Sequence, residues 1–210
     1  MTDARANILK KLKALKNEPY TRPAPVLPEF VQQSDSRTQL LKRKLEAVQS
    51  SVDIVHSIGQ TGQSIVKFLK AHHCSMDVGV ITGTEVELLS LDQGLQFFPC
   101  ENFAECHTVV TRASFGIAET GTVVLPSSLQ QPTLANFLPD NCIVLLNEAD
   151  ILPYIEDALL AVQKSDAGMP RALNLISGPS KTADIEQTLV YGAHGPIQLH
   201  VIILADAAGE

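Results

Sequence analysis

Apolar residues follow two patterns along the chain: a helical spacing of three or four residues, and short continuous runs typical of strands. The helical spacing comes first in the sequence. Ile8, Leu12 and Leu15 lie three or four residues apart with lysines between them, which places them on one face of an amphipathic helix. Four prolines then crowd ten residues: Pro19, Pro23, Pro25 and Pro28. Because proline fixes φ and disfavours helix in the residue before it, this stretch is predicted to be an extended linker. The sequence thus predicts an N-terminal arm over residues 1–28 and one α/β domain over residues 29–210.

The second spacing consists of short apolar runs that alternate with helical segments. A predicted helix at residues 36–49 precedes a strand at 52–55, a helix with Thr61 as its N-cap, and a strand at 78–81. The core face of the middle helix consists of Ile65, Phe68 and Leu69. Further strands are predicted at residues 86–91, 108–111, 117–119, 122–125, 143–146, 173–177 and 199–204. Further helices are predicted at residues 151–163, capped by Asp150, and at 181–191.

Continuous apolar runs, such as residues 143–146 and 201–204, are typical of strands that are covered on both faces. Together with the alternation of strands and helices, they predict an α/β fold. The expected architecture is a Rossmann-like, mostly parallel sheet sandwiched by helices, with an N-terminal helical arm.

Charge is unevenly distributed. The chain carries 16 Lys+Arg against 23 Asp+Glu, a net charge of −7, which argues against a nucleic acid partner. The arm is nevertheless basic, which leaves two interpretations open: it lies on a membrane surface, or it covers its own or a sister subunit. Lysines occupy the place where a signal peptide needs its apolar stretch, and no apolar run reaches the roughly 18 residues of a membrane span. We therefore expect a cytoplasmic protein.

The four cysteines, Cys74, Cys100, Cys106 and Cys142, form no Cys-x-x-Cys pair and match no common zinc or iron-sulfur spacing. We expect them to be structural thiols and expect no metal site. The sequence points to no particular cofactor.

Two stretches combine glycines and hydroxyls where strands are predicted to end. In the first, Thr120-Gly121 lies between two β-prone runs, so an ordinary hairpin and a small concave binding turn are both compatible with it. In the second, residues 175–186, a strand runs through Gly178 towards the predicted helix at 181–191. Free amides at a helix N-terminus, with Lys181 beside them, suit a phosphate or carboxylate; simple capping by Ser180 explains the same pattern.

These stretches carry a family resemblance. Residues 176–186, the Gly-Ala-His-Gly-Pro turn at 192–196 and the run 199–204 resemble the C-terminal signature of the LUD-domain family, in its lactate-utilization protein C branch. Residues 117–122 resemble the other signature of that family. The resemblance covers roughly residues 36–206.

The resemblance implies a fold like that of the sugar-phosphate isomerases and CoA transferases (NagB/RpiA/CoA transferase-like). It also implies a role in oxidising L-lactate to pyruvate beside iron-sulfur companion subunits. Since this chain lacks the cysteine pattern for clusters, the electron-carrying centres are expected in those companions. One departure concerns residues 126–132, which lack the arginine expected after the first signature turn.

The candidate site residues come from the two signatures. Glu119 and His194 are the candidate acid-base groups. The candidate ligand-binding residues are Thr120, Gly121, Thr122, Ser177, Gly178, Ser180, Lys181, Thr182 and Asp184. His200, inside an apolar strand, is predicted to be a packed, hydrogen-bonded histidine, and His72 and His73 are predicted to end a helix.

Three hypotheses follow from the sequence. The chain is an accessory or ligand-binding subunit of an iron-sulfur-dependent L-lactate oxidation system, or a stand-alone enzyme acting on a small carboxylate, CoA thioester or sugar phosphate, or a ligand-sensing regulatory module. Only the resemblance favours the first, because no complete set of nucleophile, base and orienting residue can be placed. Self-association is left open.

Overall fold

The computed structural model describes residues 2–15, 36–81, 94–100, 102–103, 105–165, 168–183, 189–191 and 195–205. The chain divides into two units, residues 1–34 and residues 35–210. The predicted linker and the predicted strand at 86–91 lie outside the described residues.

The first unit contains helix α1, Thr2–Leu15. Its side chains at Ile8, Leu9 and Leu12 are exposed, and Lys13 lies in its last turn. The apolar spacing of the sequence therefore corresponds to a helix. Among the described residues, no helix is both long enough and apolar enough to cross a membrane.

Within the described residues, the second unit contains three α-helices, twelve strands and two short 3-10 helices, Thr133–Asn136 and Glu148–Asp150. The helices are α2 (Arg37–Ala47), α3 (Ile58–Ala71) and α4 (Ile155–Lys164). The strands are β1 (Ser51–Val55), β2 (Asp77–Val80), β3 (Gln96–Pro99), β4 (Thr108–Arg112), β5 (Phe115–Ile117), β6 (Thr122–Pro126), β7 (Asn141–Asn147), β8 (Ile151–Leu152), β9 (Leu173–Ile176), β10 (Lys181–Ala183), β11 (Leu189–Tyr191) and β12 (Gln198–Leu204).

Six of these strands form the central sheet, in the order β1-β12-β7-β4-β2-β3, and every pairing among them is parallel. A smaller sheet has the order β8-β5-β6-β9, and β10 pairs with β11. The mostly parallel α/β sheet predicted from the apolar runs is confirmed.

Successive side chains of the central strands point to opposite faces of the sheet, and each face is covered by a different layer of the domain. On β12, Val201 and Ile203 face one side of the sheet, where they join a core with Leu41 of α2 and Val123 of the smaller sheet. Ile202 faces the other side and packs with residues of α3. The side chains of β12 therefore belong to two different cores, which is why the strand is apolar at almost every position.

Several predicted elements need correction. Ser57, not Thr61, caps α3: its side chain accepts from the Gln60 N–H. Asp150 does not cap α4, because residues 151–152 first form β8 and the helix begins after Tyr154. The Thr61 error arose because Ser57, four residues earlier, was also available to cap the helix, and the Asp150 error arose because a short strand precedes α4.

The expectation that all four cysteines are thiols was wrong. Cys100 and Cys106 are joined by a disulfide, and Cys74 and Cys142 are free. Gly79 of β2 lies directly beneath this bridge, since a Cβ atom there would lie 2.9 Å from Cys100 Cβ. The disulfide closes the turn between β3 and β4.

Candidate functional site

The two signature turns are neighbours because β6 and β9 pair side by side. Val123 lies opposite Ile176, so the residues just beyond them, Thr122 and Ser177, lie next to each other. Thr122 Oγ1 is 2.6 Å from Ser177 Oγ and 2.7 Å from Thr120 Oγ1. Three hydroxyls from two distant segments therefore form one hydrogen-bonded chain, which we call the hydroxyl chain.

The first turn is the hairpin that the sequence predicted, with β5 and β6 antiparallel and Gly121 at φ +69°. Gly121 also lies against the last turn of α2. A Cβ atom there would lie 2.5 Å from Lys44 Cβ and 3.0 Å from the Lys44 carbonyl carbon. Only glycine supplies both the left-handed backbone and the space.

The second turn contacts the same helix end. Gly178 has φ +124°, and a Cβ atom there would lie 2.8 Å from Val48 Cγ2. Lys181 Nζ donates to the Val48 carbonyl oxygen at 3.0 Å. Val48 is the C-cap residue of α2, so a cation lies at the negative end of the helix dipole.

The helix predicted at residues 181–191 is wrong where the structure describes it. Lys181–Ala183 and Leu189–Tyr191 are paired antiparallel strands, with Lys181 opposite Tyr191. The β-prone residues of the second strand dominated over the helical spacing. Lys181 therefore begins a strand and does not lie beside a helix N-terminus whose free amides could bind an anion.

Of the remaining candidates, the structure describes Glu119 and Ser180 in full and Thr182 in its main chain. Glu119 is half-buried in the hairpin turn, and its N–H donates to the Pro153 carbonyl at 3.2 Å. The Ser180 N–H donates to the Pro196 carbonyl at 2.8 Å. The side chain of Thr182, and all of Asp184 and His194, lie outside the described residues.

The hydroxyl chain has a defined chemical capacity. Three hydroxyls carry three protons, and the two bonds within the chain use two of them. One proton is therefore available to a partner, and both Thr120 and Ser177 are exposed. The arrangement can donate to an anionic oxygen, but it pairs no nucleophile with a base.

A polar cluster at the carboxyl ends of two central strands was missed. Arg112, which ends β4, donates to Asn147 Oδ1 at 2.7 Å, and Asn147, which ends β7, donates to Asp150 Oδ2 at 2.9 Å. Ligands of open α/β sheets bind at such strand ends. In residues 126–132, where an arginine was expected, Gln131 Nε2 instead donates to the Arg112 carbonyl at 3.1 Å. The sequence signal was a polar residue directly after each apolar run.

His200 is packed and hydrogen-bonded, as predicted, but its network is larger than expected. Its Nδ1 is 2.7 Å from Ser51 Oγ and its Nε2 is 2.9 Å from Ser64 Oγ, while the ring stacks on Phe68. Ser64 Oγ in turn donates to Asp53 Oδ2 at 2.8 Å. We call these four polar residues the buried relay. Neither Asp53 nor Ser64 stood out in the sequence, because nothing there indicates that they meet His200.

The positions of the protons in the buried relay follow from the number of donors and acceptors that its side chains provide. Ser64 has one hydroxyl proton, and an ionised carboxylate can only accept, so Ser64 donates to Asp53 and accepts from His200 Nε2. Nδ1 then accepts from Ser51. Burial lowers the pKa of His200 from 6.5 to about 4, so the ring is neutral. Burial raises the pKa of Asp53, but the Ser64 hydrogen bond and nearby positive charge outweigh it and leave that pKa lowered.

Comparison with known proteins identifies a family. A model of the LUD domain matches residues 100–204, half of the chain, and that range contains both signature turns. An uncharacterized protein of Neisseria meningitidis is 28% identical over 217 residues, which cover 96% of this chain and 93% of that protein. The lactate utilization protein C of Anoxybacillus flavithermus is 35% identical over 97 residues, which cover 46% of this chain and 43% of that protein.

A solved structure supports the fold. The crystal structure of a DUF162 family protein from Deinococcus radiodurans superimposes with a TM-score of 0.62, covering 80% of this chain and 98% of that chain. The two sequences are 22% identical. At that identity the likeness concerns the fold alone.

Replacing Gly121 by alanine tests the contact with α2. Gly121→Ala is expected to lower the free energy of unfolding by at least about 2 kcal/mol, because it adds a steric clash to left-handed backbone strain. Gly168→Ala is the matched control: Gly168 has φ +63°, but nothing lies within 4 Å of its Cβ position. Chemical denaturation measures the free energy of unfolding of both variants. An equal decrease in the two variants would contradict the proposed contact between Gly121 and α2.

The buried relay predicts an acid-sensitive fold. In the unfolded chain His200 titrates near 6.5 and in the folded chain near 4, so the unfolded state binds more protons between these values. The neutral, buried state of His200 makes its full contribution to the free energy of unfolding above pH 6.5. As the pH falls towards 4, the free energy of unfolding decreases by about 3 kcal/mol. Chemical denaturation of the wild type and of His200→Gln between pH 4 and 6.5 measures this loss. The free energy of unfolding of the variant should change less with pH than that of the wild type. Identical pH profiles would contradict the assignment.

Proposed function

The chain belongs to the LUD-domain family, and on that premise we propose that it is an accessory or ligand-binding subunit of a cytoplasmic, iron-sulfur-dependent system that oxidises L-lactate to pyruvate. The observation that carries the proposal is the match of the family model to residues 100–204. This range contains the hydroxyl chain and the polar cluster of Arg112, Asn147 and Asp150. The name lactate utilization protein C, borne by relatives such as that of Anoxybacillus flavithermus, supplies the substrate.

The cysteine chemistry of the chain favours placing the iron-sulfur clusters in companion subunits. A cluster needs several thiolates at one place. Cys100 and Cys106 are bonded to each other, and burial raises the pKa of the Cys142 thiol to about 12. Cys74 alone cannot hold a cluster. The electron carriers therefore belong to partners, and this chain contributes binding or assembly.

The signature turns favour a binding role over a complete catalytic one. The hydroxyl chain has one proton to donate, which suits the carboxylate of a small acid. The ammonium of Lys181 uses one of its three N–H donors on the Val48 carbonyl. Thr120, Thr122 and Ser177 are therefore the residues we propose for the ligand. Glu119 beside them is proposed to orient it.

Helix α1 is proposed as the contact with the companions. Its exposed Ile8, Leu9 and Leu12 provide an apolar face between lysines. Such a face gains free energy when another protein covers it. The basic charge of the arm would select an acidic partner surface.

Copurification tests the proposed role. The full chain is expected to retain its iron-sulfur companions on affinity capture, and deletion of residues 1–28 is expected to reduce that retention at least roughly tenfold, because the anchoring face is lost. Ile8→Asp with Leu12→Asp should act like the deletion, whereas the control Lys13→Gln should not.

Two outcomes would count against the proposal. One is a chain that forms a self-contained oligomer without companions, under conditions where the companions oxidise L-lactate unaided. The other is turnover of a CoA thioester or sugar phosphate by the isolated chain, abolished by Glu119→Gln, which would establish a stand-alone enzyme.

A further inference from the structure

A cavity of about 380 Å³ lies at the end of the smaller sheet opposite the signature turns. Its walls come from the start of β5, the end of β6, the end of α4 and the segment before β9. Phe115, Pro126, Val162 and Pro170 form its apolar surface. Among the described residues that line it, none carries a charge, so we call it the neutral cavity. Its volume is within the range of small-molecule sites.

Two serines that line the neutral cavity each keep a proton to donate. Ser127 Oγ accepts from the Ala172 N–H at 3.0 Å, and Ser128 Oγ accepts from the Gln131 N–H at 2.9 Å. Each of these bonds uses a lone pair of the hydroxyl oxygen and not its proton. Within the described part of the chain, both hydroxyl protons are therefore left for a ligand, and the oxygen that carries each proton is held in place by the main chain.

Gln131 supplies an acceptor beside these donors. Its Nε2 donates to Thr111 Oγ1 at 2.9 Å and to the Arg112 carbonyl at 3.1 Å. Because a carbonyl can only accept, these bonds assign which end of the amide is the nitrogen. Both amide protons are used, and Oε1 is the atom left for a ligand. Since Ser128 Oγ binds the main chain of Gln131, a donor and an acceptor belong to one bonded pair of residues.

The lining of the neutral cavity selects one class of ligand. A carboxylate or a phosphate would meet no cation among the described lining residues, and an ammonium would meet no anion, so a charged ligand loses its hydration without compensation. A hydrocarbon would leave the serine donors and the Gln131 acceptor unpaired. The half-buried ring of Phe115 and the apolar wall beside it suit a flat ring. An uncharged ring that carries a C=O next to an N–H satisfies both the wall and the polar atoms.

We propose that the neutral cavity binds a planar, uncharged heterocycle with a lactam edge, of the kind found in a free nucleobase such as hypoxanthine. The ring carbonyl accepts from Ser128, the adjacent ring N–H donates to Gln131 Oε1, and the ring packs on Phe115. A polynucleotide is not the source of the base, because the chain has a net charge of −7 and repels a phosphate backbone. The inference goes beyond the proposed function and does not rest on it.

Amide chemical shifts of the full chain, titrated with hypoxanthine and with purine, test the inference. Hypoxanthine should shift the signals of Phe115, Ser127, Ser128 and Gln131. Purine has the same two fused rings without the ring carbonyl and the N–H beside it, so it leaves Gln131 Oε1 without a donor. Purine should therefore bind at least roughly tenfold more weakly than hypoxanthine.

A pair of glutamine variants separates a lost contact from a general loss of structure. Gln131→Leu removes the acceptor, so it should weaken hypoxanthine binding roughly tenfold while it changes purine binding by less than about twofold. The control, Gln130→Leu, changes the same side chain on the neighbouring residue, which is exposed and outside the cavity lining, and should bind both ligands like wild type. If Gln131→Leu does not fold, the comparison of the two ligands on the wild type still decides.

Equal affinity of the wild type for hypoxanthine and purine, an equal loss of hypoxanthine binding in both glutamine variants, or shifts confined to residues outside the neutral cavity would overturn the inference. A chain that copurifies with its companions but binds no hypoxanthine in the neutral cavity would overturn this inference and leave the proposed function standing.

Discussion

The open carboxyl end of helix α2 is the constraint on which the candidate site depends. The last carbonyl groups of a helix have no partner within it, so donors from outside the helix can bind them. Here Lys181 supplies a donor to the Val48 carbonyl, while Gly121 and Gly178 let two backbones approach the last turn closely. The glycines of both signatures are thus required by one helix end. The hydroxyl chain that joins the turns is a consequence of that packing.

This arrangement suggests why the signatures are separated in sequence yet act together. β6 and β9 are hydrogen-bonded neighbours in the smaller sheet, and the turns that follow or precede them lie at the same end. The smaller sheet packs with α2 against the central sheet, so the position of the turns is set by two cores. Rigid elements therefore hold the polar groups, as a binding site requires.

The buried relay is a second polar feature with a different physical basis. A histidine on a central strand is costly unless both ring nitrogens are bonded. Ser51 and Ser64 provide those bonds, and Phe68 covers the ring face. The network places Asp53 at the edge of the sheet, where water or a ligand can reach it.

Apolar spacing predicted the fold well because burial dominates the energetics of the core. The runs at β7 and β12, the helix α2 and the glycine turn at Gly121 were all predicted from the sequence. Local signals failed where tertiary contacts decide the outcome. Leu189–Tyr191 pairs as a strand despite a helical pattern, and Cys100 meets Cys106 across a turn that spacing alone could not fix.

The candidate site was predictable only in part for the same reason. Thr120, Thr122 and Ser177 stood out by composition, and the structure places them together. Arg112 and Asn147 did not stand out, because a single polar residue after an apolar run is common. The partners of His200 come from two other elements, and no local pattern connects them.

A double-mutant cycle between Thr122→Val and Ser177→Ala shows whether the two signature turns form one energetic unit. Chemical denaturation of the wild type, both single variants and the double variant gives the coupling free energy. We expect a coupling of about 1 kcal/mol, the contribution of a hydrogen bond made across the two turns. If the two substitutions lower the free energy of unfolding by strictly additive amounts, the turns are energetically independent. That result would contradict the coupling of the two turns.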